Sequence, residues 1–498
     1  MRRRGWAGGW GKPLLAVGGV MLTALAILIA VVVIRTLMLK PADLPTQQAA
    51  AVVAFDLNQA AGRLGQAIRF QTVSHQDPSQ DDVAQWTAFH DWMARTYPAF
   101  HAAAPRETVG GGGLVWTWIG RNPQLPPIIL MAHQDVVPAS PETLADWKTP
   151  PFSGAVLDGA VWGRGAIDDK GSLIALLEAG EALAKAGRQP ERTVIIVSGH
   201  DEETRGSGAR AAAELLKSRD VHAWFALDEG SAIIEDHPII KGPAALIAVA
   251  EKGYVTLRIT AHGAGGHASA PPGRTAVSTL ARAITAVEGK AWPLRYDGPS
   301  RDGLRALAPY APFATRLFLA NDWLFGGVLT RQMGANPVAA AGLHTTIAPT
   351  MLTGSPKENV LPETASVWIN YRLAPGTSVQ EVVDRAKAAT KGLPVDVAIE
   401  GAGREPTPVS SQQSDAYRYL ATALADEAPA TPIAPSLMTA ASDSRYMTPV
   451  AQDIYRFAPN RLRLGDLSMV HGVNEHLTLE NLARNIHFYA RLMEGTET

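Results

Sequence analysis

A chain of 498 residues is too long for one compact unit of ordinary size, so two domains plus an appendage are expected. Hydrophobic residues make up 46% and charged residues 18%, which describes a chain able to fill large cores and excludes a mainly disordered one. A formal charge of -2 offers no basic footprint for nucleic acid, and the absence of cysteine removes disulfides, thiolate ligands and thiol nucleophiles. Any metal must then be held by imidazole and carboxylate.

The first forty residues stand apart from the rest. Arg2, Arg3, Arg4 and Lys12 precede an apolar run from Leu14 to Ile34 whose only clearly polar member is Thr23. As a helix this run is roughly 31 Å long, close to the hydrocarbon thickness of a bilayer. Cleavable signal peptides have apolar regions of only about 7–15 residues, and no A-x-A site follows this one. Length therefore favours a retained membrane anchor over a cleaved signal, and the charge bias predicts a body on the non-cytoplasmic side. Cleavage would instead give a secreted protein. Pro41 to Gln48 reads as a linker.

Apolar residues then recur at helical spacing over Val52–Arg69 and Asp82–Arg95. Strands and helices begin to alternate: strand Ile128–Ala132, helix Ser172–Lys185 closed by Gly187, strand Val194–Val197, helix Ala209–Lys217 and strand Ala223–Leu227. This rhythm predicts an α/β fold, a mostly parallel sheet covered by helices on both faces. After about Glu251 the order becomes strand Tyr254–Ala261, helix Thr275–Val287, strands His344–Met351 and Ala365–Leu373, helix Ser378–Thr390 and strand Pro394–Glu400. That β-α-β-β-α-β order is the order of a ferredoxin-like sandwich. An insertion at about 290–340, rich in Trp, Phe, Leu and Pro, interrupts it and hints at an apolar pocket. From about Ala402 the chain returns to the first unit and ends in a helix at Leu479–Glu494. The expected organisation is an anchor or signal segment at 1–40, a larger domain at 41–250 and 402–498, and a smaller domain inserted at 251–401.

Four acidic or histidine-bearing segments stand at the ends of predicted strands, the rim where parallel α/β sheets place ligands. They are Met131-Ala-His133-Gln-Asp135, Gly165-Ala-Ile-Asp168-Asp169, His200-Asp201-Glu202-Glu203 and Leu227-Asp228-Glu229. An Asp two positions after a His can hold the ring nitrogen that a metal does not use. The paired Asp168 and Asp169 precede a helix, where an Asp also serves as an N-cap. Three consecutive acids after a buried strand call for a cation to offset their repulsion. Far downstream, Val470-His471-Gly-Val-Asn474-Glu475-His476 adds two histidines and a carboxylate. Imidazole and carboxylate suit zinc, and two ions about 3.5–4 Å apart can clamp a water and a carbonyl oxygen. A carboxylate left over from metal binding can then move the water's proton, and the residues alone do not say whether Glu202 or Glu203 does so.

Taken together, MAHQDVVP, GRGAIDDKG, the Glu-Glu pair of GHDEET, LDEG, GGHASAPPG, ENVLPETASVWINYR and HGVNEH resemble the zinc peptidase family of aminoacylases and carboxypeptidases, most closely its carboxypeptidase S and N-acyl-amino-acid hydrolase branch. The resemblance spans about residues 50–495. It implies that His133 and Asp228 bind one zinc, that Glu203 and His471 bind another, and that Asp168 bridges them. Two Zn2+ per chain follow, with Co2+ or Mn2+ also suited to these donors. It further implies Glu202 as the general base, Asp135 as the residue that orients His133, and a cis peptide at Asp168–Asp169.

In the inserted domain, the family's lid and dimerisation domain, His267 corresponds to a residue that stabilises the oxyanion, often across a dimer interface, which allows for a homodimer. Asn359 and Arg372 match positions that contact substrate, with Arg372 clamping its carboxylate bidentately. His476 is left as structural, and Asp443 and Arg445 fall in a loop similar to one on the family's substrate side. The expected activity is hydrolysis of the amide bond to a C-terminal amino acid in short peptides. N-acyl amino acid hydrolysis and a silent binding role are the alternatives.

Overall fold

The computed structural model describes residues 11–41 and 53–495. Beyond Pro41, the expected linker lies outside the described residues, as do Arg2, Arg3 and Arg4. The helix Gly11–Met38 contains the one described segment, Gly19–Met38, that is long and apolar enough to cross a membrane by length and composition.

The main sheet has ten strands. Its centre is parallel: Val194–Ser198, Ile128–Met131, Ala223–Asp228 and Ala451–Arg456 lie side by side in that order. Side chains alternate between two cores, as the pleat requires. Ile128, Leu130, Val194, Ile196, Phe225 and Leu227 enter one core, beneath the helices Leu57–Arg69, Lys170–Lys185 and Leu479–Glu494. Ile129, Met131, Ile195, Val197 and Ala226 enter the other, beneath Ser207–Ser218. A strand buried on both faces reads in sequence as a continuous apolar run, which is what marked the first three; Ala451–Arg456, interrupted by Gln452 and Asp453, was not expected. The sheet is mixed at its flanks. Gly113–Trp118 and Arg106–Val109 extend one edge antiparallel, while Gly242–Glu251 pairs antiparallel with Ala451–Arg456 and parallel with Ile433–Met438. These flanking strands were not expected from sequence. The alanine-rich stretch in Gly242–Glu251 has neither period-two alternation nor strong β-propensity.

Strand Gly242–Glu251 passes through Lys252 directly into Gly253–His262 of a second, four-stranded sheet. There Thr346–Thr353, Thr364–Leu373, Gly253–His262 and Val395–Arg404 are antiparallel neighbours in that order. Helices Ala276–Glu288 and Val379–Ala389 pack on it through Leu280, Ala283, Val382 and Ala386, making a hydrophobic cluster separate from the two above. The aromatic-rich stretch forms four helices, Gly298–Leu307, Phe313–Ala320, Asp322–Gly334 and Pro337–Ala341.

Candidate metal centre

The central strands deliver their functional side chains from their C-terminal ends. His133 follows Met131, the acidic run follows Ser198, and Asp228 is the last residue of its own strand. His133, Asp168 and Glu203 offer ligand atoms within 4.8 Å of one another. His133 Nε2 lies 2.8 Å from Asp168 Oδ1, and His471 Nε2 lies 3.1 Å from Asp168 Oδ2 and 3.0 Å from Glu203 Oε2. Asp168 thus sits between the two imidazoles. Asp228 is buried nearby, its two oxygens accepting the backbone N–H groups of Glu229 at 3.0 Å and Ser444 at 2.8 Å. The Asp168–Asp169 peptide is cis.

The electrostatics of this cluster suit a divalent cation. Burial, the largest effect on Asp168, opposes its ionisation, yet hydrogen bonds with His133 and His471 hold its carboxyl below the usual range. Hydrogen bonds with Asp168 and then Glu203 push the His471 imidazole up to about 10. Burial also acts most strongly on His133, but Asp135 and Asp168 outweigh it and hold the ring charged. Burial raises Glu203 and Asp228, and it raises Glu229 together with the charges of Asp168 and Asp228. Several buried carboxylates are therefore balanced by protonated imidazoles. Metal ions offset the same charge while using the neutral rings as ligands, and a donor set of imidazole and carboxylate without thiolate fits zinc.

The surrounding residues fix this arrangement. Asp135, fully buried, accepts Ser74 Oγ at 2.6 Å and the backbone N–H groups of Glu202 and Glu203 at 3.1 Å each. Its main-chain oxygen lies 3.0 Å from His133 Nδ1, closer than its carboxylate at 3.4 Å. Asp135 thus aligns the acidic turn as well as the histidine. Asp169 occupies an N-cap position but makes no capping bond; its carboxylate accepts the His133 backbone N–H at 3.3 Å. Asp201 supports the following helix, accepting Gly208 N–H and Ser207 Oγ, and takes no place in the cluster. His476 stacks on Trp162 with ring centroids 4.0 Å apart, which makes it structural.

Sequence reasoning gave no role to Glu475, which the fold makes central. This buried carboxylate accepts the backbone N–H groups of Gly165, Ile167 and Asp168 at 2.8–3.0 Å. It also pairs at 2.8 Å with the buried Arg164. Arg164 in turn donates to the carbonyls of His471 and Gly472. One ion pair therefore ties the Asp168 loop to the His471 loop. Its signal was present in the two motifs, but only burial shows that the charges need each other.

Glu202 is largely shielded beside the others, its side chain 11% exposed, and Arg445 Nη1 lies 3.7 Å from its carboxylate. Burial, then the charge of Asp443, raises its carboxyl well above the ordinary range. Asp443 is itself buried and pushed up to about 8 by that burial. A cavity of about 480 Å³ opens beside Asp168, Glu202, Glu203 and His471, and its opposite wall is apolar: Ile234, Leu246, Met438, Leu462 and Leu467. None of its lining residues comes from 290–340, so the aromatic-rich insertion does not form this pocket. Helix Gly298–Leu307 of the insertion packs instead on strands Gly242–Glu251 and Ile433–Met438 through Leu307, Ala244 and Ala434.

The three candidate residues of the inserted segment fall into two groups. Arg372 pairs in register with Tyr254, lies with its guanidinium 4.9 Å from that ring, and shares a field with Glu251. Glu251 in turn accepts the Ser442 backbone N–H, three residues before Arg445, which lies beside Glu202. His267 and Asn359 lie together elsewhere: His267 pairs with Val360, and Ala268 N–H donates to the Asn359 carbonyl at 3.0 Å. Asn359 precedes Thr364, which pairs with His262 at the far end of the ladder from Arg372. Eight residues of strand, about 26 Å, separate Thr364 from Arg372. The structure does not bring Asn359 and His267 to Arg372 within one chain.

Comparison with known proteins agrees with this geometry. Residues 129–495 match the family model described as peptidase family M20/M25/M40. The chain is 34% identical to N-fatty-acyl-amino acid synthase/hydrolase PM20D1 of Xenopus tropicalis, covering 97% of this chain and 96% of that one. It is 31% identical to carboxypeptidase S of Saccharomyces cerevisiae, covering 84% and 81%. Among solved structures, the M20 family metallo-carboxypeptidase Sso-CP2 of Sulfolobus solfataricus shares the fold with a TM-score of 0.64 at 17% identity, over 88% of this chain and 99% of that one. With its rim of imidazole and carboxylate ligands, the chain belongs to peptidase family M20/M25/M40, a family of metal-dependent hydrolases, and is a hydrolytic enzyme.

Proposed function

We propose that this enzyme hydrolyses the amide bond of N-acyl amino acids carrying a long apolar acyl group. The observation that carries this reading is the cavity, ionic at the Asp168–Glu203–His471 end and apolar along Ile234, Leu246, Met438 and Leu462. Such a shape accommodates a polar amide at the centre and a hydrocarbon tail along the wall. The name of the Xenopus relative, an N-fatty-acyl-amino acid synthase/hydrolase, supports it. Removal of a C-terminal residue from short peptides is the second reading, favoured by the similarity to carboxypeptidase S.

In this reading His133 and Asp228 hold one zinc ion, Glu203 and His471 hold another, and Asp168 bridges them. When bound, the ions supply Lewis acidity toward the scissile carbonyl and lower the pKa of water toward neutrality. Glu202 takes the proton of the attacking water and delivers it to the leaving amine. Burial and neighbouring negative charge favour its protonated form, which makes it competent for the second half of that task. Asp135 and Glu475 hold the ligand loops in place.

Arg372 receives the free carboxylate of the amino acid with two parallel N–H donors. His267 stabilises the developing oxyanion in the site of a neighbouring subunit and Asn359 contacts substrate there, a reading supported by their separation from Arg372 along the strand. The inserted domain, 251–401, then serves as lid and dimerisation unit between the catalytic parts at 41–250 and 402–498. Residues 1–40 anchor the body to the non-cytoplasmic face of a membrane.

The test is a hydrolysis screen of the zinc-loaded full chain against N-acyl glycines and N-acyl phenylalanines of rising chain length, their C-terminal amides, and dipeptides. Rates that rise with acyl length and collapse on amidation are expected. Dipeptides cleaved faster than every N-acyl substrate would replace this reading with the second one.

A further inference from the structure

The helix Gly11–Met38 meets the body near its C-terminal end. Val32 and Thr36 are buried, and the buried Asn321 donates at 3.1 Å to both the Val32 carbonyl and the Thr36 hydroxyl. Leu39 packs against Leu319 and Leu329. Asn321 is the junction between helices Phe313–Ala320 and Asp322–Gly334, so the N-terminal helix is docked on this pair.

The outer face of the pair is apolar and open. In Asp322–Gly334, Leu329 turns into the body, whereas Trp323, Leu324, Gly327 and Val328 recur at the spacing of one helical face and are all exposed. Phe313 and Phe318 of the preceding helix extend it, and the large members of the patch are between 37% and 56% exposed. A surface helix in water carries polar residues on such a face. Here the polar residue, exposed Arg331, comes only one turn further on. A patch of this size and composition beside an apolar helix has an identifiable cover, because Val20, Leu22, Leu25 and Ile29 on that helix are themselves exposed.

We propose that the helix pair Phe313–Ala320 and Asp322–Gly334 is a membrane seat, its apolar face lying in the interfacial layer of a phospholipid bilayer next to the anchor. This rests on the reading of residues 1–40 as an anchor. The docking through Val32, Thr36 and Asn321 holds the pair level with the end of the span, where Arg35 and Lys40 mark the polar boundary. Aromatic and aliphatic side chains there enter the headgroup boundary, and Arg331 meets lipid phosphate. The seat is also linked to the cavity. Leu307, one residue before Ala308 of the anchor-side cluster, packs with Ala244 and Leu246, and Leu246 lines the apolar wall.

The chain has no cysteine, so single labels can be placed without background. In the full chain reconstituted into phosphatidylcholine–phosphatidylglycerol vesicles, a fluorophore is attached through Leu324→Cys or Val328→Cys. Reference labels go on the anchor through Leu25→Cys and on the exposed body strand through Val156→Cys. Quenching is read with aqueous iodide and with doxyl-labelled lipid. Labels at 324 and 328 should be at least about fivefold less sensitive to iodide than the label at 156, and quenched by the lipid probe like the label at 25.

Iodide sensitivity equal to that at 156, with the label at 25 still lipid-quenched, would overturn the seat and leave the anchor standing. An iodide-sensitive label at 25 would remove the anchor and the seat together. Shielding from iodide without lipid quenching would mean that a second copy covers the face, which also overturns the seat. Turnover is not read, so the substrate assignment is tested separately.

Discussion

The separation of His267 and Asn359 from Arg372 leads to a quantitative expectation. Arg372 shares a field with Glu251 beside its own chain's cluster, while His267 sits beyond the opposite end of the same ladder, about 26 Å away along the strand. In the proposed dimer each complete site would draw Glu202 and Arg372 from one subunit and His267 from the other. His267→Ala removes an oxyanion donor and should lower kcat by about 10²–10³. Glu202→Gln removes the proton carrier and should cost about 10²–10⁴.

A dimer of one chain of each kind has one site with both defects and one with neither. With random exchange half the dimers are mixed, so an equimolar mixture should recover about a quarter of wild-type activity. The assay is turnover of an N-acyl amino acid after exchange, with mixed dimers counted by differential tags on native mass spectrometry. Confirmed mixed dimers no more active than their parents would refute the reasoning, and so would a monomeric enzyme whose His267→Ala loss is undiminished.

Three further outcomes are expected. Arg372→Ala leaves a substrate carboxylate unpaired in a partly desolvated site, a loss of about 2–5 kcal/mol or roughly 30-fold to several thousand-fold in kcat/KM. Arg372→Lys should recover it only in part, and comparison of free-acid and amide substrates checks the assignment, since equal rates would sink it. Glu475→Ala strands the buried Arg164 and frees three backbone donors around Asp168, so thermal or denaturant unfolding should show a loss of about 3–5 kcal/mol. Zinc affinity should fall about 10–100-fold in the same variant, and unchanged zinc content at limiting metal would contradict the role given to Glu475.

The last concerns pH. His471, raised to about 10 by Asp168 and Glu203, contributes stability to the metal-free protein that is complete below an unfolded pKa of about 6.5 and is lost as pH rises towards 10. Metal must displace that proton, so chelator-competition titrations should show affinity rising about tenfold per pH unit for each proton released, between pH 6 and 8. A pH-independent affinity, or fewer than two ions per active chain by elemental analysis, would exclude the two-metal reading.

The sequence by itself determined three of the four strands at the parallel centre of the sheet and the residues that follow them, because buried strands are apolar runs and a carboxylate or histidine directly after one breaks that run visibly; Ala451–Arg456 carries no such run. Ile128–Met131 before His133, Val194–Ser198 before the acidic turn and Ala223–Asp228 ending in its own carboxylate are all local signals. The β-α-β-β-α-β order after Glu251 was legible for the same reason, since period-two and period-3.6 patterns need only a few neighbouring residues.

What the tertiary structure alone decided depends on contacts far apart in the chain. Glu475 matters because it meets Arg164 and the Asp168 loop some three hundred positions away. The apolar cavity is assembled from Ile234, Leu246, Met438 and Leu462 and excludes the aromatic-rich insertion that composition had suggested. Asn359 and Arg372, thirteen positions apart, are kept apart by the strand Thr364–Leu373 that runs between them, because a β-strand advances about 3.3 Å per residue. Composition and spacing carry the identity of a ligand; which ligands converge is set by strand register and burial, and neither is written in any single segment.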